Sequence, residues 1–238
     1  MTAKNTMPSI ALILAFSFTC QDIQQEKTVS YSPISRQEIY SHIHPSYAKK
    51  LAFTADLEVE RRDDFGTSSY AGRLSVDRNG TSILELDKTP HYEMTLSDTL
   101  ITIPSDGGEP LIIDPTSEAH NVLLAHYVPI IECDPFRYLD KSFRYFIRTS
   151  NPDTTFIRVE ESLEKKKFGD VKIVVHKKTG FILDIYFYSI SGDLGRHVQY
   201  RRPRRIDGEA LATEIILDYA AQGSVIRERF ILKNIVVQ

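Results

Sequence analysis

The stretch that decides the fold is Leu-Ala-Phe-Thr-Ala-Asp-Leu-Glu-Val-Glu, residues 51–60. Leu51, Phe53, Ala55, Leu57 and Val59 alternate with Thr54, Asp56, Glu58 and Glu60, so one side is apolar and the other polar. A period of two with that division is a strand half-buried in a sheet. After a turn at residues 63–66, Tyr70, Gly72, Leu74 and Val76 alternate with Arg73, Ser75 and Asp77. Asn79 and Gly80 then supply the strongest short hairpin signal in the chain. Strands are predicted at 81–86, 91–96, 99–103 and 109–114, with turn chemistry at 89–90, 97–98 and 105–108. The pattern resumes at 143–148, 154–160, 171–177, 181–189, 196–202, 212–220 and 224–236. Residues 181–188 are apolar on both faces, which predicts a place in the middle of the sheet. No linker rich in Pro, Gly or Ser divides the chain. The fold class expected is mainly β, one antiparallel sheet of about 11–13 strands, too long to stay flat and curled by its own twist.

Two other stretches fill that curl. Ser35, Arg36, Gln37 and Glu38 form a capping box, and the helix behind it puts Ile39 and Ile43 four apart on one face until Pro45 ends it. Between the two strand-rich halves lies Asn-Val-Leu-Leu-Ala-His-Tyr-Val-Pro-Ile-Ile-Glu-Cys-Asp-Pro-Phe-Arg-Tyr-Leu, residues 121–139. Its leading part reads as a short helix stopped by Pro129. It is either a core-filling helix or a movable apolar lid over a lipid-sized cavity. On the second reading the cavity is lined by Phe53, Leu57, Leu74, Leu84, Met94, Tyr145 and Ile147 from the strands. The lid (within residues 115–142) contributes Leu123, Leu124, Tyr127, Ile130, Ile131 and Phe136. Each acyl methylene taken from water contributes roughly 0.8 kcal/mol, so a partly enclosed chain binds well. Plain core packing is the alternative for each of these side chains.

With 238 residues and 42% hydrophobic content, the chain can bury one sizeable core or two small ones. Net charge is −3, and its basic runs are short and mixed with acid, so no nucleic-acid partner is expected. Residues 1–19 carry Lys4 and an apolar run over 10–18, an export signal. Thr19 and Cys20 follow, then a polar run from Gln21. This resembles a bacterial lipoprotein signal, with Cys20 as the lipidated N-terminus, although Ser17 and Thr19 depart from the usual lipobox. Cleavage after Ser17 is the rival. Residues 20–34 are then a polar tether and 35–238 the domain. Cys133 is a buried small hydrophobe if Cys20 carries lipid; a Cys20–Cys133 disulfide is the other possibility.

Four stretches, in their order, resemble the bacterial lipoprotein-localisation carriers LolA and LolB and the exported proteins that share their fold. They are the short helix running into residues 52–57 (Ala-Phe-Thr-Ala-Asp-Leu); residues 72–78 (Gly-Arg-Leu-Ser-Val-Asp-Arg); and residues 96–103 (Leu-Ser-Asp-Thr-Leu-Ile-Thr-Ile) with Ile113, Asp114 and Pro115. The last is residues 205–208 (Arg-Ile-Asp-Gly) with the terminal pair over 215–237. The resemblance runs over nearly all of residues 35–238. It implies an unclosed antiparallel half-barrel wrapped around a few short helices and holding acyl chains of lipoproteins or lipids. Arg78 matches an arginine that latches the lid in LolA, but Asn79 stands where those carriers have proline. LolB exposes an apolar residue on a loop after its third strand, and residues 87–90 here have none.

Enzymatic signals are weak. His42 and His44 are two apart and His120 and His126 six apart, neither a usual helical ligand spacing. A cluster of His120, His126, Glu132, Cys133 and Asp134 is the one conceivable metal site, and a metal hydrolase built on it ranks third among the readings. There is no nucleophile elbow, phosphate loop or Cys-x-x-Cys. The densest basic patch, residues 200–205, is a solvated strand end or a contact for anionic head groups. The leading expectation is a non-enzymatic, monomeric, lipid-anchored carrier in the periplasm, held to the outer membrane, without cofactor or metal. An envelope regulatory module of the same fold, contacting a membrane-bound protein, is the alternative.

Overall fold

The alternation at residues 51–60 becomes an eleven-residue strand, β2 (Phe53–Asp63), in which Phe53, Ala55, Leu57 and Val59 are buried and Asp56, Glu58 and Glu60 are exposed. It belongs to a computed structural model that describes residues 30–45, 51–79, 81–88, 91–97, 101–103, 109–113, 127, 130, 136, 143–149, 151–161, 169–206, 208–221 and 223–238. Residues Pro33–Gln238 form one compact unit, with which the following description is concerned. The elements preceding β2 are β1 (Ser32–Ile34) and α1 (Arg36–Ile39). Those after it are β3 (Gly66–Val76), β4 (Ser82–Leu86), β5 (Tyr92–Leu96), β6 (Ile101–Ile103), β7 (Leu111–Ile113), β8 (Phe143–Arg148) and β9 (Thr154–Glu161). The chain finishes with β10 (Val171–His176), β11 (Ile182–Tyr188), β12 (Leu194–Ile206), β13 (Glu209–Ala221) and β14 (Ser224–Val237).

All fourteen strands join one sheet in the order β1-β8-β9-β10-β11-β12-β13-β14-β2-β3-β4-β5-β6-β7. Two meanders, β2 to β7 and β8 to β14, are thus welded by the last strand lying antiparallel against β2, from Arg227↔Arg62 to Val237↔Phe53. The sheet is not closed. It exceeds the expected 11–13 strands by β1, a three-residue strand inside the predicted tether. Its Ser-Pro-Ile sequence carries no periodicity that could have announced it.

Two boundaries differ from expectation for identifiable reasons. Helix α1 is a single turn, although its capping box forms as predicted: Glu38 N–H donates to Ser35 Oγ at 3.2 Å and Ser35 N–H to Glu38 Oε2 at 2.9 Å. Strand β12 runs on through Pro203, which pairs with Ala212. The β11–β12 ladder has already ended at Asp184↔Gln199, so Pro203 borders an unpaired edge where a missing N–H is tolerated.

Side-chain parity divides the sheet into two unlike faces. The inner one collects Phe53, Leu57, Leu74, Leu84, Met94, Val159, Ile173, Val198, Leu217 and Phe230, all 3% exposed or less. The outer face is a charged ladder. Arg227 Nε meets Asp218 Oδ1 at 2.6 Å, Arg229 Nε meets Glu214 Oε1 at 2.5 Å, Lys233 pairs with Glu58, and His197 stacks on Tyr186 at 4.2 Å.

The turn after α1 is pinned to the β10–β11 hairpin. His44 N–H donates to Gly180 O at 2.8 Å. Gly180 has φ +69°, and a Cβ there would stand 2.5 Å from His44 N and 2.8 Å from the Ile43 carbonyl carbon. Gly180→Ala is therefore expected to lower stability by about 2–3 kcal/mol, since strained backbone and a clash against backbone act together. Urea unfolding checks this. A change below about 0.5 kcal/mol, the scale of an ordinary surface substitution, would mean that the contact is not fixed.

Candidate functional site

Topology forces one connection across the sheet. Strand β7 is one edge and β8 lies at the other, with β1 alone beyond it, so residues 114–142 must join opposite edges. Three residues of that connection are described, and all are buried: Tyr127 and Ile130 at 4% exposure and Phe136 at 0%. They belong to the same apolar core as the inner-face residues, so at these points the connection runs over the inner face.

The Tyr127 ring shows how strongly the sheet curls. It packs edge-on against Tyr92 of β5 at 5.1 Å and against Phe230 of β14 at 5.9 Å. Those strands are four spacings apart, roughly 19 Å on a flat sheet, and one ring touches both. Phe136 meets Tyr40, at the end of α1, and Tyr145 of β8, each at 6.2 Å.

Around Tyr127 the inner face turns polar. Glu228 of β14 is fully buried. It accepts hydrogen bonds from Tyr70 Oη at 3.0 Å and Tyr127 Oη at 3.4 Å, while Lys88 Nζ donates to Tyr127 Oη at 3.0 Å. The same ammonium lies over the rings of Tyr92 and Tyr127, 4.6 and 5.0 Å from their centroids. Burial, and after it the Glu228 carboxylate, pushes the Tyr92 and Tyr219 phenols up to about 12 and raises those of Tyr70 and Tyr127 too. A second charge, Arg196, is 7% exposed on the inner face with its guanidinium 4.2 Å from the Phe187 centroid. Burial pushes it down to about 10.

A tyrosine whose pKa rises on folding favours the folded chain while it stays protonated. Its contribution is complete below its ordinary value of 10.0 and is lost as pH climbs through about 12. Of the twelve tyrosines, the four around Glu228 should thus ionise late in an alkaline titration, above the ordinary value of 10.0. Phenolate absorbance and circular dichroism, followed together, should show the late phase coinciding with unfolding. A single early phase from all twelve would contradict this environment.

Of the residues predicted for the cavity, Phe53, Leu57, Leu74, Leu84, Met94, Tyr127, Ile130, Phe136 and Tyr145 are buried in one apolar core. Ile147 is half-buried. Leu123, Leu124, Ile131 and Cys20 lie outside the described residues, as do His120, His126, Glu132, Cys133 and Asp134. Arg78 is exposed and has no polar partner among the described residues; Lys88 and Glu228 hold Tyr127 instead. Neither of those two was singled out from sequence. Glu228 was legible, because it stands in phase with Ile226, Phe230 and Leu232, which are buried, so its carboxylate had to face inward. Arg196 is likewise in phase with Val198.

An open, curled antiparallel sheet with an apolar inner face crossed by a connection between its edges defines the LolA-like half-barrel. The structure is similar to a LolA superfamily protein from Nitrosomonas europaea, with 15% identity and TM-score 0.58 over 86% of this chain and 94% of that one. It is also similar to a domain from Vibrio parahaemolyticus described as an outer membrane lipoprotein-sorting protein (11%, TM-score 0.54, 85% and 90%). A DUF1329 family protein from Desulfovibrio piger matches too (11%, TM-score 0.55, 81% and 88%). No family model matches the sequence, and no curated protein does. The chain therefore shares the fold of these proteins, as the resemblance of its four stretches led one to expect.

Proposed function

We propose that the protein is an exported carrier or binder of acyl chains, of lipoproteins or other lipids, which it takes onto the inner face of the half-barrel without covalent chemistry. The observation that carries this reading is the connection between opposite edges. Ile130 and Phe136 belong to the apolar core of the inner face and Tyr127 covers its polar patch at Glu228, and an acyl chain that displaced them would find a mainly apolar surface curled into a trough. Phe53, Leu57, Leu74, Leu84, Met94, Tyr145 and Ile147 would line it, with Leu123, Leu124 and Ile131 completing the cover.

The rest of the chain suits such a role. Residues 1–19 would direct export, Cys20 would be lipidated and residues 20–34 would tether the domain, placing it in the periplasm on the outer membrane. Among the described residues no helix is long and apolar enough to cross a membrane, and no group of three or more His, Cys, Asp or Glu could hold a metal.

The test is mass spectrometry of full-length protein purified without added lipid, joined to titration with a fluorescent acyl probe. Co-purifying lipid and saturable probe binding are expected. Protein that is empty and takes up no probe would overturn the reading. Affinity capture of one stoichiometric protein, in place of lipid or a mixed set of lipoproteins, would favour a regulatory module.

A further inference from the structure

The sheet splits at one point. The β12–β13 ladder continues to Ile206↔Glu209, and the β14–β2 ladder, after a register shift between Lys233 and Val236, continues to Val237↔Phe53, but the β13–β14 ladder between them stops at Glu214↔Ile231. From there the end of the β12–β13 hairpin and the end of β14 part. A cleft of about 640 Å³ lies in the fork, within the range of small-molecule sites.

Its walls are of two kinds. Ile206, Leu232 and Ile235 are apolar and pack against the main core, and Thr213 is 6% exposed. Arg204 and Arg205 are exposed and also line the cleft. Consecutive strand residues point to opposite faces, so both can border it because the fork opens through the sheet.

The other polar side chains there are already engaged. Arg202 Nε meets Glu214 Oε2 at 2.8 Å, Asn234 Nδ2 donates to Asp56 Oδ2 at 2.8 Å, and Lys233 pairs with Glu58. Arg204 and Arg205 have no such partner among the described residues. The backbone is also unusual: Arg202 and Asn234 flank the fork with φ of 50° and 49°, and Thr213 Oγ1 donates to the Arg202 carbonyl at 2.9 Å. Asn234 falls in the register shift of the β14–β2 ladder and Arg202 where the β12–β13 pairing skips a residue, so both mark the place at which the sheet opens into the fork.

We infer that this fork is a second binding site, for an anionic amphiphile: a carboxylate or phosphate head held by Arg204 and Arg205, with its hydrocarbon against Ile206, Leu232 and Ile235. Charge-assisted hydrogen bonds to guanidinium fix such a head, and the apolar walls take the first methylenes from water. A free fatty acid and an anionic phospholipid of a membrane share this chemistry. The inference does not rest on the trough proposed for acyl chains, although Leu232 of the fork pairs with Leu57 of that trough.

The experiment titrates full-length wild type and the double variant Arg204→Gln/Arg205→Gln with oleate and with oleyl alcohol, and sediments both proteins with phosphatidylglycerol vesicles. Wild type should bind oleate at least about tenfold more tightly than the alcohol, and the double variant should lose that difference. Sedimentation lost in the variant identifies a membrane lipid as the source; an effect confined to monomeric oleate identifies a free acid. Equal binding of acid and alcohol by wild type, or an unchanged difference in the variant, overturns the site. Alcohol binding that survives in either protein leaves the trough standing when the fork fails. Oleate binding that needs the arginines, with no alcohol bound, does the reverse.

Discussion

Phe136→Ala is expected to lower the unfolding free energy by about 3–5 kcal/mol, the range for emptying a fully buried aromatic site. Phe136 is 0% exposed and stands between Tyr40 and Tyr145, with interplanar angles of 74° and 66°. Removing the ring deletes two edge-to-face contacts and leaves a void that aromatic neighbours on different elements cannot close without moving the sheet. Phe136→Leu, which keeps most of the volume, should lose less, about 1–1.5 kcal/mol. Denaturant unfolding measures both. A loss below about 1 kcal/mol for alanine would show that Phe136 is not a fixed part of the core. The variant also probes function, because on the carrier reading an acyl probe can occupy the void. At a probe concentration of 100 Kd, recovery of about 2.7 kcal/mol is expected. A melting temperature indifferent to the probe would separate the structural role of this ring from any role over a ligand.

How far the sequence could be read depends on what each element is made of. Thirteen of the fourteen strands announce themselves through alternating apolar residues or short continuous apolar runs, which strands buried on one face or on both leave in a sequence. Strand β1 leaves none, being short and polar. The end of β12 was hidden for another reason: Pro203 usually stops a strand, and only the early end of the β11–β12 ladder makes it harmless here. Length implies curvature, but its degree depends on Tyr127 meeting Tyr92 of β5 and Phe230 of β14 at once, contacts across distant parts of the chain that no local pattern encodes. The fork at Glu214↔Ile231 is equally invisible, since β13 and β14 both keep good strand sequences past the point where they separate. In the candidate site, the inward direction of the apolar strand residues was legible by parity. Glu228 is in phase with buried neighbours, but its meeting with Lys88 and Tyr127 depends on contacts between residues far apart in the chain that no local pattern encodes.

Glu228→Ala should be the other severe lesion, costing about 3–5 kcal/mol, as expected when one partner is removed from a buried ionic cluster. The carboxylate is fully buried and opposes Arg61 across the β14–β2 ladder. Without it the Tyr70 and Tyr127 hydroxyls lose an acceptor, each at about 1–3 kcal/mol. Glu228→Gln keeps an acceptor and removes the charge, so it should lose less, and its late tyrosine phase should move to lower pH because the carboxylate no longer opposes phenolate formation. Loss of volume is separated from loss of polarity by Glu228→Leu. If leucine is as stable as the wild type, the cluster contributes nothing net to stability and serves instead to set where Tyr127 docks. A double-mutant cycle between Glu228→Gln and Tyr127→Phe decides that point. A coupling energy above about 0.5 kcal/mol places Tyr127 on Glu228 in solution, whereas additivity would mean that the crossing segment is held to the inner face by its aromatic contacts alone.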